Sequence, residues 1–391
     1  MTTVDEHASH IAALLAPALA PRTESVLLAD ALGRVTVSAV ASPVDLPLFR
    51  NSQMDGFAVR AADLDTLPAT LPIAGEVSAR PSDPPPLAAG TAVRIMTGAV
   101  VPEGADAVVP VEDTTTDGAT VTITRQRAMG EYVRARGSDV HAGDELLPAG
   151  LRLASRHLAV LAAAGLTSVE VRQRVRVAII TTGSELIEPG AVPIFGQVFD
   201  SNGTALAAAV SSAGAIVAAR MHVTDDSAAM LEALSTTDAD LILTSGGISM
   251  GDYEVVRETL EPLGAVVTTI AMQPGGPQAT AVFEGMPVVC FPGNPVSTQL
   301  SFEIFVAPLL RAVAGLPPAV RTPRVLTSAI RSVASKRQFL RGRARAGGRV
   351  ELISGASSHL VAGLAAADLL VDVPLETTSL EAGATVQTWE L

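Results

Sequence analysis

Apolar and polar positions follow three different rhythms along this chain. Near the start, Ile11, Leu14, Leu15 and Leu19 recur at i, i+3, i+4 and i+8. That spacing predicts a helix over 5–20, which Pro17 would end or kink. From about 24 to 150 the apolar runs shorten, and Pro and Gly separate them. RVTVSAVAS, LPIAGEVSA, AVRIMTGAVV, DAVVPVED and ATVTITRQR read as strands of a β module, with SDPPPLAAG as a turn-rich loop. A helical spacing returns over 151–170 in SRHLAVLAAAGL. Beyond 175, short apolar strands alternate with helical stretches, which predicts a parallel sheet. Gly315-Leu316-Pro317-Pro318 marks a linker, after which RVLTSAI, QFLRGRARA, RVELISG and TVQTWEL read again as strands.

The α/β section carries the chemistry. In open parallel sheets, ligands bind at the C-terminal ends of the strands. Here those ends lead into Thr181-Thr182-Gly183-Ser184-Glu185, Ser245-Gly246-Gly247 with Ser249 and Asp252, and Gly293-Asn294-Pro295 with Ser297. Glycines let the backbone approach a ligand, and amides at helix starts attract anions. A carboxylate among them suits a divalent cation. Asp200 opens DSNGTAL and fits a helix N-cap or a ligand equally well. No Walker loop occurs.

Composition narrows the class. A chain of 391 residues, 48% hydrophobic, can fill several cores, although only 3% of it is aromatic. The net charge of -13 argues against general nucleic-acid binding. Cys290 is the sole cysteine and lies in an apolar run, which reads as a buried structural thiol. His7, His10, His141, His157, His222 and His359 are scattered and read as surface residues. Asp5 and Glu6 stand where a signal peptide would be basic, and no uninterrupted apolar run approaches about 18 residues. A soluble, cytoplasmic protein without membrane segments is expected.

Three further segments stand out: NSQMDGFA at 51–58, RIMTGAVVPEGADAVV from Arg94, and GSDV from Gly137 with HAGDELL following it. Alone, Asp55-Gly56 reads as a hairpin turn. In fixed order with TTGSEL, DSNG, TSGGISMGDYE and FPGNPVS, these segments closely resemble the molybdopterin molybdenumtransferase family. That family includes bacterial MoeA and the E domain of gephyrin. The resemblance covers nearly the whole chain. It implies a transferase of molybdenum cofactor biosynthesis that inserts molybdate into adenylylated molybdopterin and releases AMP with the help of Mg2+.

The implied fold has four parts. They are a helical linker and dimerisation domain (1–23 with 42–50 and 139–174), an inserted β domain (24–41 with 51–138), a parallel α/β molybdopterin-binding domain (175–316) and a C-terminal β-barrel (317–391). The resemblance implies a homodimer, and the molybdopterin adenylyltransferase as a candidate partner. By motif position the catalytic set is Asp55, Thr97, Asp139, Glu185, Asp225 and Asp252, with Glu185, Asp225 and Asp252 holding the metal. The substrate-binding set is Ser245, Gly246, Gly247, Ser249, Pro274, Gly293, Asn294, Pro295, Ser297, Arg341 and Ser358. Arg341 lies in Phe339-Leu340-Arg341-Gly342, where the family places an arginine near molybdate. Arg343 and Arg345 share its strand face and read as solvated.

One element departs from the family. Its P-G-K-P segment, with a basic residue before it, reads here Gln273-Pro274-Gly275-Gly276-Pro277. Arginine would have kept the charge in a chain whose only lysine is Lys336. The alternative reading that follows is an impaired paralogue that carries molybdopterin or the cofactor.

Overall fold

The computed structural model describes residues 1–248 and 255–391. Two compact units emerge: Met1–Glu24 with Arg172–Leu391, and Ser25–Val171.

The larger unit is built on a six-stranded sheet. Its order is Ile216–Val223, Arg176–Thr182, Leu241–Ser245, Met286–Phe291, Pro277–Phe283 and Val266–Thr269. The first four strands run parallel, and the last two pair antiparallel at one edge. The sheet is therefore mixed rather than wholly parallel. Its four parallel strands carry the apolar runs seen in the sequence, and Val177, Ile180, Leu243 and Val289 are completely buried. Cys290 is buried as expected, and desolvation pushes its thiol up to about 12.

Five strands close into a barrel at the C-terminal end: Arg337–Arg345, Arg349–Leu352, Arg321–Leu326, Thr385–Glu390 and Leu369–Val373, the last returning to the first. The expected barrel is thus present. Leu369–Val373 gave no alternation to read, because all five of its residues are buried. The short strand Met272–Gln273 adds parallel to Arg337–Gln338 and ties the barrel to the α/β layer.

The N-terminal helix is Val4–Leu15, shorter than the expected 5–20. Thr3 and Glu6 form a capping box at its start, and it stops two residues before Pro17. Val4, His7, Ile11 and Leu15 are its buried face. That stripe packs into the α/β core with Phe302, Phe305 and Val306. In the smaller unit, the helix Ser155–Ala163 buries Leu161 in a core with Ala31, Leu147, Leu153 and Val171. The stripe showed that one face must be covered, but not by what.

His7 corrects the surface reading of the histidines. It is buried, its Nε2 lies 3.1 Å from Gln278 Oε1, and its ring meets Phe305 edge-on at 4.8 Å. Burial pushes its pKa down to about 4 from 6.5, against the opposing hydrogen bond to Gln278. The folded state therefore prefers neutral imidazole. Its contribution to stability is complete above pH 6.5, declines as pH falls, and is gone below pH 4. The loss is on the order of 3 kcal/mol. Thermal unfolding of the wild type should lose stability over that window, and His7→Leu should flatten the slope; an equal slope in both proteins would exclude His7 as its source.

Pro295–Val313 is long and apolar enough to cross a bilayer by composition alone, but 61% of it is buried inside this unit. It is a core helix.

The smaller unit holds a second six-stranded sheet, ordered Ala107–Pro110, Gly56–Val59, Ala92–Ile95, Ala69–Val77, Thr120–Ile123 and Thr114–Thr116. Strand alternation puts Phe57, Val59 and Val109 into one core and Ala58, Val93 and Val108 into another. Asp55-Gly56 is not a hairpin. It is a bend between Asn51–Ser52 and Gly56–Val59, which belong to different sheets. Gly56 is required because any Cβ there would lie 2.0 Å from the Val109 carbonyl oxygen.

Candidate functional site

A cavity of about 910 Å³ opens over the C-terminal ends of the four parallel strands. Each strand sends its following loop into the wall: Thr182 to Leu186 after the first, Asp225 after the second, Ser245 to Ile248 after the third, and Pro292 to Pro295 after the fourth. The start of the helix Ser201–Ser212, together with Val198, Phe199 and Asp200, closes one side. Gln273 to Gly275 and Ala356 to His359 close the other.

Most of the substrate-binding set comes together here. Ser245, Gly246, Gly247, Pro274, Gly293, Asn294, Pro295, Ser297 and Ser358 all line the cavity. Two of them are already engaged by the protein. The Gly246 N–H donates to the Phe291 carbonyl at 3.1 Å, so it is not offered to a ligand. Ser245 Oγ is buried, accepts from Asn202 Nδ2 at 2.8 Å and lies 3.1 Å from Thr298 Oγ1. Its role is to hold the strand end against the helix. Gly246 has φ +99°, and a Cβ there would meet Thr182 O and Oγ1 at 2.7 Å, so the turn needs glycine.

Glu185 and Asp225 are exposed on the rim of the cavity. Asp225 Oδ2 accepts from the Ser184 N–H at 2.8 Å, which fixes the two loops together. Ser249 and Asp252 lie outside the described residues. Among the described residues, no group of three or more His, Cys, Asp or Glu side chains could hold a metal ion.

Asp200 resolves to an N-cap. It accepts from the Gly203 N–H and from Thr181 Oγ1, each at 2.9 Å, and Arg220 lies 3.7 Å away. It is buried with its acceptors in use.

Arg341 does not line the cavity. Its guanidinium is completely buried beneath the loop at 354–358, with Nε donating to Ser354 Oγ at 2.7 Å and Nη2 to the Gly355 and Ser357 carbonyls, the latter at 3.1 Å. Nη1 has no partner. Desolvation pulls its pKa below the ordinary arginine value. Arg343 is half-buried and donates to the Ala366 carbonyl, and Arg345 pairs with Glu351 at the exposed strand end.

Asp55, Thr97 and Asp139 belong to the smaller unit. The structure joins the first two: the Thr97 N–H and Oγ1 donate to Asp55 Oδ1 at 2.7 and 2.8 Å. Those bonds, the backbone one first, hold the Asp55 carboxyl below the usual range. Asp139 is exposed, with its N–H donating to the Leu46 carbonyl.

Sequence reasoning missed Gln273 as a wall residue in its own right, and also Leu186, Phe199, Ser357 and His359. Only His359 is flagged by chain order, as the neighbour of Ser358. Gln273 Oε1 accepts from Gln338 Nε2 at 2.5 Å, which fixes its carboxamide against the barrel. Among the described residues that line this cavity, none is arginine or lysine.

Comparison with known proteins gives this geometry a family. Residues 2–165 match the MoeA N-terminal region (domain I and II), 178–312 a probable molybdopterin binding domain, and 323–391 the MoeA C-terminal region (domain IV). Molybdopterin molybdenumtransferase 2 of Mycobacterium tuberculosis is 41% identical over 408 residues, covering all of both chains. Molybdopterin molybdenumtransferase of Nostoc sp. is 39% identical over 305 residues, covering 75% of this chain and 70% of that one. The crystal structure of the molybdopterin biosynthesis moea protein from Pyrococcus horikosii superposes with a TM-score of 0.78 at 31% identity, covering 97% of this chain and 98% of that one. This chain belongs to the MoeA family of molybdopterin molybdenumtransferases.

Proposed function

We propose that this chain inserts molybdate into adenylylated molybdopterin with release of AMP, as a step of molybdenum cofactor biosynthesis. The observation that carries the reading is the cavity itself. It lies within the matched molybdopterin-binding region and the barrel, at the ends of four parallel strands, with Glu185 and Asp225 on its rim. Its 910 Å³ accommodates a ligand of nucleotide size or larger.

The donor set fits Mg2+. This ion is typically held by one or two carboxylates plus substrate phosphates, and keeps several waters. Glu185 and Asp225 supply the carboxylates, and Asp225 has one oxygen left after its bond from Ser184. When bound, the ion would offset the charge that develops on the bridge to AMP. The Gly247, Gly293 and Asn294 backbone would hold phosphate oxygens, and Ser297 and Ser358 would offer hydroxyls. Asp55 and Thr97 act as one unit, a carboxylate kept ionised by its threonine.

The same reading makes the protein a cytoplasmic homodimer that receives its substrate from a molybdopterin adenylyltransferase. An apolar loop supports the dimer: Val192, Ile194 and Phe195 are 90%, 71% and 107% exposed, which is costly for a surface that meets no partner. The purified protein, given molybdopterin-AMP, Mg2+ and molybdate, should release AMP in a manner that requires all three. Intact adenylylated substrate after prolonged incubation would refute the assignment.

A further inference from the structure

We propose that His7 and Gln278 are positioning residues: His7 orients Gln278, and Gln278 holds one wall of the cavity in the shape that binds the adenylylated substrate. This rests on the molybdenumtransferase reading. Neither residue lines the cavity itself.

Gln273, Pro274, Gly275 and Pro277 form that wall, between the short strand Met272–Gln273 and the sheet strand Pro277–Phe283. So short a connection makes few backbone bonds. The Gly276 carbonyl accepts from the Ile270 N–H at 2.7 Å, but the Gly275 carbonyl accepts from a side chain, Gln278 Nε2, at 3.1 Å. Gln278 is completely buried. Its Nε2 also donates to Ser301 Oγ at 2.9 Å, at the end of the helix Pro295–Ser301, whose first turn borders the same cavity. Gly275 lies so close to that helix that a Cβ would sit 3.1 Å from Ser301 Oγ. One amide thus ties the wall to the helix.

The amide does this in one orientation only. The Gly275 carbonyl can only accept, so Nε2 must face it. Oε1 then faces His7 Nε2 at 3.1 Å, and the imidazole must carry a proton there. Reversing the amide would set two acceptors face to face at a fully buried position, which is costly. His7 therefore selects the orientation that holds the wall.

The N-terminal segment is held in register for this role. The Thr2 N–H donates to the Thr269 carbonyl at 3.2 Å, and the Ala271 N–H to the Thr2 carbonyl at 2.8 Å, just before the wall begins. His10, three residues beyond His7, lies 2.9 Å from Thr280 Oγ1, on the same strand face as Gln278. Residues 2–10 therefore grip the chain on both sides of the wall, and of the two histidine contacts it is that of His7 that reaches it. An apolar pair of the same volume could fill the His7–Gln278 site without desolvating polar groups. What the polar network adds is a fixed position for Gly275.

The test is steady-state AMP release with molybdopterin-AMP varied, at saturating Mg2+ and molybdate and well below the lowest melting temperature of the set. Gln278→Met keeps the volume but removes the donor and the acceptor. Its KM for the adenylylated substrate should rise roughly tenfold, the equivalent of one net hydrogen bond, with kcat within about twofold, because the wall meets the ligand in ground and transition states alike. His7→Leu should reproduce the rise. His7→Gln, whose amide N–H stands in for the imidazole one, should restore the wild-type KM. Since His7 acts through Gln278, the double change His7→Leu and Gln278→Met should be no worse than Gln278→Met alone. His10→Leu removes the contact that does not reach the wall, and should leave KM at the wild-type value. Should Gln278→Met fail to fold, the two His7 variants decide the matter. Wild-type KM in Gln278→Met and His7→Leu, with only the melting temperature lowered, would make the network purely structural and overturn the proposal. An equal rise in His10→Leu, or in His7→Gln, would overturn it as well. Absence of AMP release from the wild type would instead refute the molybdenumtransferase reading, and this proposal with it.

Discussion

Glu185→Gln and Asp225→Asn are each expected to lower cation-dependent release of AMP by about a hundredfold or more, with the fold unchanged. Both side chains are exposed on the cavity rim, so neither change leaves a hole in a core. The loss arises because a metal that polarises a phosphoryl oxygen supplies several kcal/mol of charge stabilisation, and about 1.4 kcal/mol is a factor of ten in rate. The variants also separate two roles. Among the described residues the Glu185 carboxylate accepts no hydrogen bond that would fix a loop, whereas Asp225 accepts one from the Ser184 N–H. Asp225→Asn should therefore raise the Mg2+ concentration needed and also loosen the 183–186 loop, while Glu185→Gln should change the Mg2+ requirement alone. Measured as rate against Mg2+ for both variants, wild-type behaviour in each would remove the clamp from the mechanism. Asp252, the third carboxylate expected from the sequence, lies outside the described residues.

The rim was legible because it is local in sequence. Each wall loop directly follows an apolar strand, so chain order alone brought TTGSEL, SGG and PGNP together. What the sequence left open depends on packing between distant segments. The alternation of Arg341, Arg343 and Arg345 placed them correctly on one strand face. That face is outside the barrel but not solvated: Phe339 enters the core shared with the sheet, and the 354–358 loop covers Arg341. Only Arg345, at the strand end, meets solvent as expected. His7 looked like a surface residue on a polar turn of helix, and Gln278, its partner 271 positions away, made it a buried one. His359 was hidden for the same reason. Its wall position depends on Val296 and Arg341, which are remote from it along the chain.

The absence of a basic side chain at Gln273 and Gly276 leads to the second large effect. The double change Gln273→Lys and Gly276→Lys is expected to lower the molybdate needed for half-maximal AMP release by roughly ten- to a hundredfold. Each charge-assisted hydrogen bond restored is worth about 1.5–3 kcal/mol, and the two lysines will not both bond ideally. The backbone permits the change. Gly275 holds φ +101° and is left alone, while Gly276 has no left-handed conformation, and a Cβ there would lie 3.3 Å from the Ile270 oxygen. Accommodating it requires the Ile270 carbonyl to give by a few tenths of an ångström. Gln273→Lys carries a cost that Gly276→Lys does not, because it removes the acceptor for the buried Gln338 Nε2. An unpaired buried donor costs about 1–3 kcal/mol, so the Gln273 variant should melt earlier while the Gly276 variant melts close to wild type. Molybdate titration of the wild type, both single variants, the double variant and Arg341→Ala then isolates charge from stability. Lower half-saturation in Gly276→Lys alone already supports the electrostatic argument. A wild type that saturates at low molybdate, with neither lysine improving it and Arg341→Ala without effect, would mean that backbone amides and hydroxyls hold the anion unaided.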